Sequence, residues 1–371
     1  MKAGALRTPS LTIERVPKHR NFVFPRFHDG PDSASGFAFQ GLIGLGAGMT
    51  IIGRYVLAGL LLAVGGTVRA ETPPPPVKAL KITILSTMLA DGQELGEWGF
   101  AALVEVDGHR ILFDTGAHTD VVLKNVRSLG LDLAAVPEVV LSHNHWDHVG
   151  GFMTLRESVL AKAPGALART HVGEGIFYPR ASIRPDVEDN QMLRIKAGYE
   201  QTGGVFVEHA KPVQLYPGVW LTGPVPRKYP ERNWSGSGKV VTPAGTVEDN
   251  LPEDMALVFD TADGLVVLTG CGHAGVINIV DYARTFIRPA RVHALIGGIH
   301  LFNAKEETLA WTAGKLKEIG VGNFIGAHCT GIETVYRFRH DLGLDRAHAV
   351  VGAVGATFEL GQGIDPGHIA R

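Results

Sequence analysis

Two cysteines in 371 residues are too few for a disulfide framework, so the fold has to rest on a hydrophobic core. Charge is also sparse: 19% of residues are charged, and the signs nearly cancel to a formal net charge of -2. Without a long basic run, nothing points to nucleic acid or to an anionic membrane surface as a partner. Strong compositional bias is confined to a short proline run at Pro73–Pro76. What is abundant is apolar residue, at 45%. That suffices for one mixed sheet-and-helix domain of roughly 250–300 residues.

The apolar run Ile51–Gly66, broken once by Arg54, precedes Val68-Arg69-Ala70, and Met49 stands just upstream. From Met49 the segment has a short n-region, an h-region and a small-x-small site, so residues 49–70 read as a secretory signal peptide. Residues 1–48 read as a disordered extension or a mis-set start, and 71–79 as a Pro-rich linker. Export to the periplasm or the medium follows, with no stable membrane insertion after cleavage. The rival reading is a retained anchor, because Gly41–Gly66 is nearly all apolar and long enough to span a bilayer.

Residues 80–371 alternate strand-like and helix-like runs in two similar halves. Asp107-Gly108 and Asp263-Gly264 each separate two apolar runs and predict hairpins. Helices are predicted from Thr119, with Thr119 as cap, and over 275–286, 305–319 and 332–342. A last apolar run, Val350–Leu360, is expected to close a sheet. Two such halves predict an α/β chain, a four-layer αββα sandwich of two packed mixed β-sheets with outer helices. The stretch 172–240 mixes Pro, Arg, Tyr and Gly with weak periodicity and reads as an inserted cap or substrate loop.

The chemistry concentrates in His143-Asn144-His145-Trp146-Asp147-His148, which leaves the short apolar strand 137–141. Residues two apart at a strand end project the same way, so His143 and His145 converge on one cation. Where the chain turns into a helix, Asp147 and His148 face a second position. Imidazoles with a carboxylate suit zinc, and also iron or manganese. A histidine-rich surface turn is the plainer alternative, but four ligand-type residues in six positions disfavour it. Cys271 and Cys329 each lie near a histidine in a glycine-flanked loop, which favours a metal role for at least one over a disulfide. His300 ends another apolar run and is a candidate ligand, proton donor or substrate contact. His171 and His209 read as structural or surface residues.

The His143–His148 run resembles the H-x-H-x-D-H signature of the metallo-β-lactamase superfamily, over roughly residues 80–360. Phe113-Asp114-Thr115-Gly116 resembles that superfamily's first motif, which implies that Asp114 supports the metal loop without binding metal. His328, in Gly326-Ala327-His328-Cys329-Thr330-Gly331, is similar to its late histidine and is implied as a ligand of the second ion. Thr269-Gly270-Cys271-Gly272-His273, Gly297-Gly298-Ile299-His300 and His328-Cys329-Thr330-Gly331 resemble the dihydropterin-ribofuranosylaminobenzene-phosphate synthase-like subgroup. This chain carries Gly270-Cys271 where many members have Gly-Asp, and it lacks the usual third histidine of the first site. His273, Asp254 and Cys271 remain the candidates for that third place, His273 first because it sits at a strand end where ligands gather.

The expected function is a metal-dependent hydrolase with two divalent ions, most simply zinc. Its hydroxide would attack an ester, lactone, amide or phosphoester bond of a small, anionic substrate. Metal ligands are His143, His145, Asp147, His148, Cys271, His273 and His328; Asp147 also orients the nucleophile, and His300 is a candidate proton donor. Arg180 and Arg227, each after a proline, are candidate substrate contacts. Competing readings are mono-iron or diiron redox chemistry on the same fold, or a catalytically weak metal-binding protein.

Overall fold

The computed structural model describes residues 76–181, 190–234 and 238–370. The extension and leader expected over residues 1–70 lie outside them, as does the linker up to residue 75. No helix among the described residues is long and apolar enough to cross a membrane.

The chain opens with β1 (Leu80–Ser86), β2 (Ala101–Val106) and β3 (His109–Phe113), an antiparallel meander. Asp107 and Gly108 both have positive φ, as a two-residue hairpin turn requires. There follow α1 (Val121–Ser128), β4 (Glu138–Leu141), α2 (Trp146–Val149), α3 (Phe152–Leu160) and β5 (Arg169–Gly173). Next come β6 (Arg180–Ala181), α4 (Met192–Gln201), β7 (Val205–His209), β8 (Val213–Tyr216) and β9 (Val219–Leu221). Then β10 (Lys239–Thr242), β11 (Gly245–Glu248), β12 (Leu257–Thr261), β13 (Gly264–Thr269), α5 (Val276–Phe286) and β14 (Val292–Gly297). The chain ends with α6 (Glu306–Ile319), β15 (Asn323–Gly326), α7 (Ile332–Asp341), β16 (Ala349–Val351), β17 (Thr357–Glu359) and β18 (Gly363–Asp365).

An eight-stranded sheet runs β18-β17-β1-β2-β3-β4-β5-β7, and a seven-stranded sheet runs β16-β15-β14-β13-β12-β9-β8. One face of each meets the other sheet: Ile82, Ile84, Val104, Ile111 and Phe113 share a core with Leu257, Phe259, Val266, Leu268 and Ile296. The opposite faces carry helices. Leu103, Leu112 and Val139 pack on Val122, Phe152 and Leu155, and Leu265, Val267 and Leu295 pack on Ile279, Val280 and Leu316. Alternate residues of one strand therefore feed two cores. That is why these strands read as continuous apolar runs rather than as alternating ones. The four-layer αββα expectation is met.

Three expectations change in detail. The stretch 172–240 is not one insertion: β7 extends the first sheet beside β5, while β8 and β9 form the edge of the second. Only β6, β10 and β11 stand apart, as a three-stranded sheet reaching Glu248. β7 and β8 are half-exposed edge strands of four or five residues, so they lack the apolar alternation that marks a strand. The run Val350–Leu360 serves both sheets: β16 pairs with β15, then the chain crosses at Gly352–Gly355 and β17 pairs with β1. Helix α1 starts at Val121, and its cap position is Asp120 rather than Thr119, without a side-chain capping bond.

Strands β3, β4, β5 and β7 are parallel neighbours, as are β13, β14, β15 and β16. Asp114, Ser142–His148, Gly270–His273, Gly298–His300 and Ala327–Thr330 all follow the carboxyl ends of such strands. In open α/β sheets that end is where ligands bind.

Candidate metal centre

Asp114 follows β3 at φ 54, a left-handed conformation Asp tolerates better than most residues, and it is fully buried. Its Oδ1 accepts the Ser142 N–H at 2.7 Å, and its Oδ2 accepts the Ser142 hydroxyl at 2.7 Å. Oδ2 also faces Nδ1 of His148 at 2.7 Å. A hydroxyl has one proton to donate. Since Ser142 gives it to Asp114, the 2.9 Å contact between Ser142 Oγ and His143 Nδ1 runs from the ring N–H to oxygen. His273 Nδ1 is engaged by the backbone carbonyl of Asn233. In all three rings Nδ1 is therefore the protonated nitrogen and Nε2 keeps its lone pair, as a metal ligand requires.

Close approach of the two halves depends on Gly270. A Cβ there would stand 2.1 Å from Ser142 Oγ and 2.5 Å from Asp114 Oδ2. The loop before α5 is secured from outside. Glu231 accepts the N–H groups of Ile277 and Asn278 at 3.1 and 2.8 Å, capping α5 in place of a local side chain. Asn278 Oδ1 in turn accepts the N–H groups of Lys228 and Tyr229. This clamp carries the Asn233 carbonyl to His273.

The rings of His143, His145 and His273 form a near-equilateral triangle with centroids 4.7–4.8 Å apart. Beside it, ligand-capable atoms of Asp147, His148, Cys271 and His328 lie within 4.8 Å of one another, and so do those of His143, Cys271 and His273. Cys271 thus belongs to both sets, with Sγ 3.1 Å from His148 Nε2. Burial, reinforced by neighbouring histidines, holds His143 and His273 well below the usual imidazole range and takes His145 to about 4. Burial raises the Asp147 carboxyl, but His148 and His328 outweigh it and hold it well below its ordinary value. His328 goes the other way: burial lowers it, yet Cys329 and Asp147 raise it to about 10, with Asp147 Oδ2 at 3.2 Å.

These donors fit metal ions. His143 Nε2, His273 Nε2, His300 Nδ1 and His328 Nδ1 are buried with no hydrogen-bond partner, while His328 Nε2 faces only the Asp147 carboxylate. An unmade hydrogen bond at a buried polar atom costs about 1–3 kcal/mol, and bound cations would satisfy several such nitrogens at once. The residues expected as ligands, His143, His145, Asp147, His148, Cys271, His273 and His328, converge on one cleft.

Other candidates fall elsewhere. Asp254 is buried beside the cleft, but its Oδ2 accepts the Ala274 N–H at 2.7 Å, so it anchors the His273 loop; burial raises its carboxyl to about 7. His300, at φ 53, lies in the cleft with its ring 4.5 Å from that of His273. Arg180 is bonded on every side of its guanidinium. Nε bonds Asp249, Nη2 bonds both oxygens of Glu253, and Nη1 faces the carbonyls of Gly175, Ile176 and Tyr178. Arg227 likewise donates to the carbonyls of Val225, Asn250 and Leu251. Both guanidiniums are engaged by the polar backbone of irregular segments, that of Arg180 by carboxylates as well, and Arg180 also lines the pocket beside His145. His171 and His209 form a stacked pair 2.9 Å apart at the sheet edge, away from the ligands.

Two contributors, Glu97 and Asn233, carried no sequence signal of their own. Glu97 is buried and bonds Ser86 Oγ, the Ala117 and His118 N–H groups and the His118 ring, bracing the loop after Asp114. Asn233 acts through its carbonyl, which any residue has. Cys329, the other cysteine beside a histidine, brings its Sγ to 3.2 Å from Cys271 Sγ. Beside His145 a pocket of about 410 Å³ is lined by Asn144, Trp146, Gln191, Arg194 and Lys239. On the other side Trp98 packs its ring 5.0 Å from His328 and 5.3 Å from Phe302.

Residues 99–210 match the family model of the metallo-beta-lactamase superfamily. The chain is 28% identical over 261 residues to the 7,8-dihydropterin-6-methyl-4-(beta-D-ribofuranosyl)-aminobenzene-5'-phosphate synthase of Methanocaldococcus jannaschii, covering 68% of this chain and 87% of that protein. It is 25% identical over 229 residues to the anti-Pycsar protein Apyc1 of Bacillus phage 010DV004, covering 55% and 85%. Among solved structures it is similar to Tm1679, a metal-dependent hydrolase of the beta-lactamase superfamily, with a TM-score of 0.59 and 27% identity over 75% of this chain and 98% of that one. Fold, motifs and relatives agree: the chain has the metallo-beta-lactamase fold and is an enzyme similar to members of that superfamily.

Proposed function

We propose that this enzyme is a hydrolase with two divalent ions, most simply zinc, acting on an ester, lactone, amide or phosphoester bond of a small anionic substrate. The observation that carries the reading is the shared cleft itself. Buried histidine nitrogens without hydrogen-bond partners surround Cys271 on two sides, and the rings of His143, His148 and His273 are each oriented by a partner on Nδ1. His143, His145 and His273 would hold one ion, Asp147, His148 and His328 the other, with the Cys271 thiolate between them. Such ions supply activated water near neutral pH and polarise the scissile bond.

The rest falls to the protein. Asp114 orients His148 and, through Ser142, His143. Asp147 would serve as ligand and orient the nucleophile. Arg194 and Lys239, both exposed on the pocket beside His145, supply positive charge for an anionic substrate, with the Arg180 guanidinium in the same pocket lining. The synthase relative's name includes a 5'-phosphate, which agrees with an anionic group there. We also propose export, cleavage falling before Glu71; N-terminal sequencing of the mature protein decides it, and a retained Met49 or Met1 overturns it.

The test of the hydrolase reading is a screen of lactone, ester, amide and phosphodiester substrates with metal content measured on the same sample. About two zinc per chain with turnover of one class is expected. Iron with oxygen uptake and no hydrolysis would replace it with redox chemistry.

A further inference from the structure

Cys329 is a donor in the cleft with no part in either histidine set. It follows β15 in the turn His328–Thr330 and is fully buried. Its Sγ lies 3.2 Å from Cys271 Sγ, well beyond a disulfide bond, and both thiols are free. Ligand-capable atoms of Cys271, His300 and Cys329 all lie within 4.8 Å of one another. On the third member, Nδ1 of His300 is buried and has no hydrogen-bond partner.

The loops bearing these residues are locked together. Thr330 Oγ1 donates to the Gly297 carbonyl at 3.0 Å and accepts the Ile299 N–H at 3.3 Å. Space for the sulfur is kept by Gly298: a Cβ there would stand 2.9 Å from Cys329 Sγ and 2.2 Å from the Gly270 carbonyl. Two thiols at such a distance with an open imidazole nitrogen suit a soft cation better than a hydrogen-bond network, because thiols are weak donors and weak acceptors.

We propose that Cys329 and His300 are metal ligands which, with Cys271, form a third, sulfur-rich donor set for a thiophilic d¹⁰ cation such as Cd²⁺ or Zn²⁺. Binding transfers the two thiol protons to solvent, and each thiolate donates a sulfur lone pair to the ion, with no change of oxidation state. The proposal rests on Cys271 being a metal ligand, as read above, and adds two residues that reading does not use.

The test is a titration of chelator-stripped, reduced full-length protein with cadmium chloride. Two measurements are made: ions retained per chain, and sulfur-to-cadmium charge-transfer absorption in the near ultraviolet. Cys329→Ser should lower the saturating band to about half, the share of one of two thiolates, while ions held by the histidines remain. A band unchanged by Cys329→Ser overturns the proposal and leaves the two-ion centre standing. No retained metal in the wild type overturns both. If the variant fails to fold, cadmium-113 NMR of the wild type decides: a resonance shifted by two sulfur ligands supports the set, and shifts of at most one sulfur exclude it.

Discussion

Nε2 of His148 and Sγ of Cys271 stand 3.1 Å apart, although 123 residues separate them along the chain. His148 is delivered by the loop after β4 in one sheet, and Cys271 by the loop after β13 in the other. Their meeting marks where the carboxyl ends of the two sheets face each other. The opposite side of the His148 ring is held by Asp114 at 2.7 Å. The ring thus links a buried carboxylate to the proposed bridging thiol.

Removing the thiol tests the bridge. Cys271→Ala should lose close to one ion per chain and slow hydrolysis ~100-fold or more, since ligand loss exceeds the 10–100-fold typical of outer-shell partners. Cys271→Asp, which restores a carboxylate, should keep both ions and most of the rate. Elemental analysis beside initial rates reads both. An alanine variant with two tightly held ions would remove Cys271 from the centre.

Asp114→Asn keeps the shape but not the charge that orients His148. Metal affinity should fall roughly 10–100-fold, measured by competition with a chromophoric chelator. The far-ultraviolet spectrum should be retained. Unchanged affinity would mean that packing alone positions His148.

Arg180→Ala leaves Glu253 buried at 0% exposure without its charge partner. Stability in urea should drop by about 3–5 kcal/mol. Pairing the change with Glu253→Leu should recover much of the loss. In folded material KM should stay at the wild-type value. A stable Arg180→Ala protein with raised KM would return this residue to substrate binding.

Acid sensitivity has a part unrelated to metal. Burial, then the neighbouring His171, takes His209 from 6.5 down to about 4. Between those values the unfolded chain binds a proton that the folded chain refuses. The stabilising contribution is therefore complete above pH 6.5 and is lost as pH falls to about 4. Because the ring is half-exposed, the loss should be only roughly 1–2 kcal/mol. Melting temperature against pH, compared with His209→Gln, should show a shallower acid limb in the variant. Parallel curves would refute the assignment.

By itself the sequence determined the layered α/β architecture, the two Asp-Gly hairpins and the His143–His148 loop. These are local: apolar runs, turn residues and ligands a few positions apart announce themselves along the chain. It also narrowed the third partner of the first ion to His273, Asp254 and Cys271. Choosing among them took the tertiary structure, which closes His273 onto His143 and His145 and hands Asp254 the Ala274 N–H instead. The same holds for the arginines. Pro-Arg pairs in a loop look alike, and only folding shows which guanidinium meets buried carboxylates and carbonyls. The edge strands β7 and β8 stayed hidden because a half-exposed strand needs no apolar alternation. Cys329 was visible as a residue but not as a neighbour. Its approach to Cys271 is set by two glycine loops packing carbonyl against backbone, a contact between loops that no pattern along one segment records.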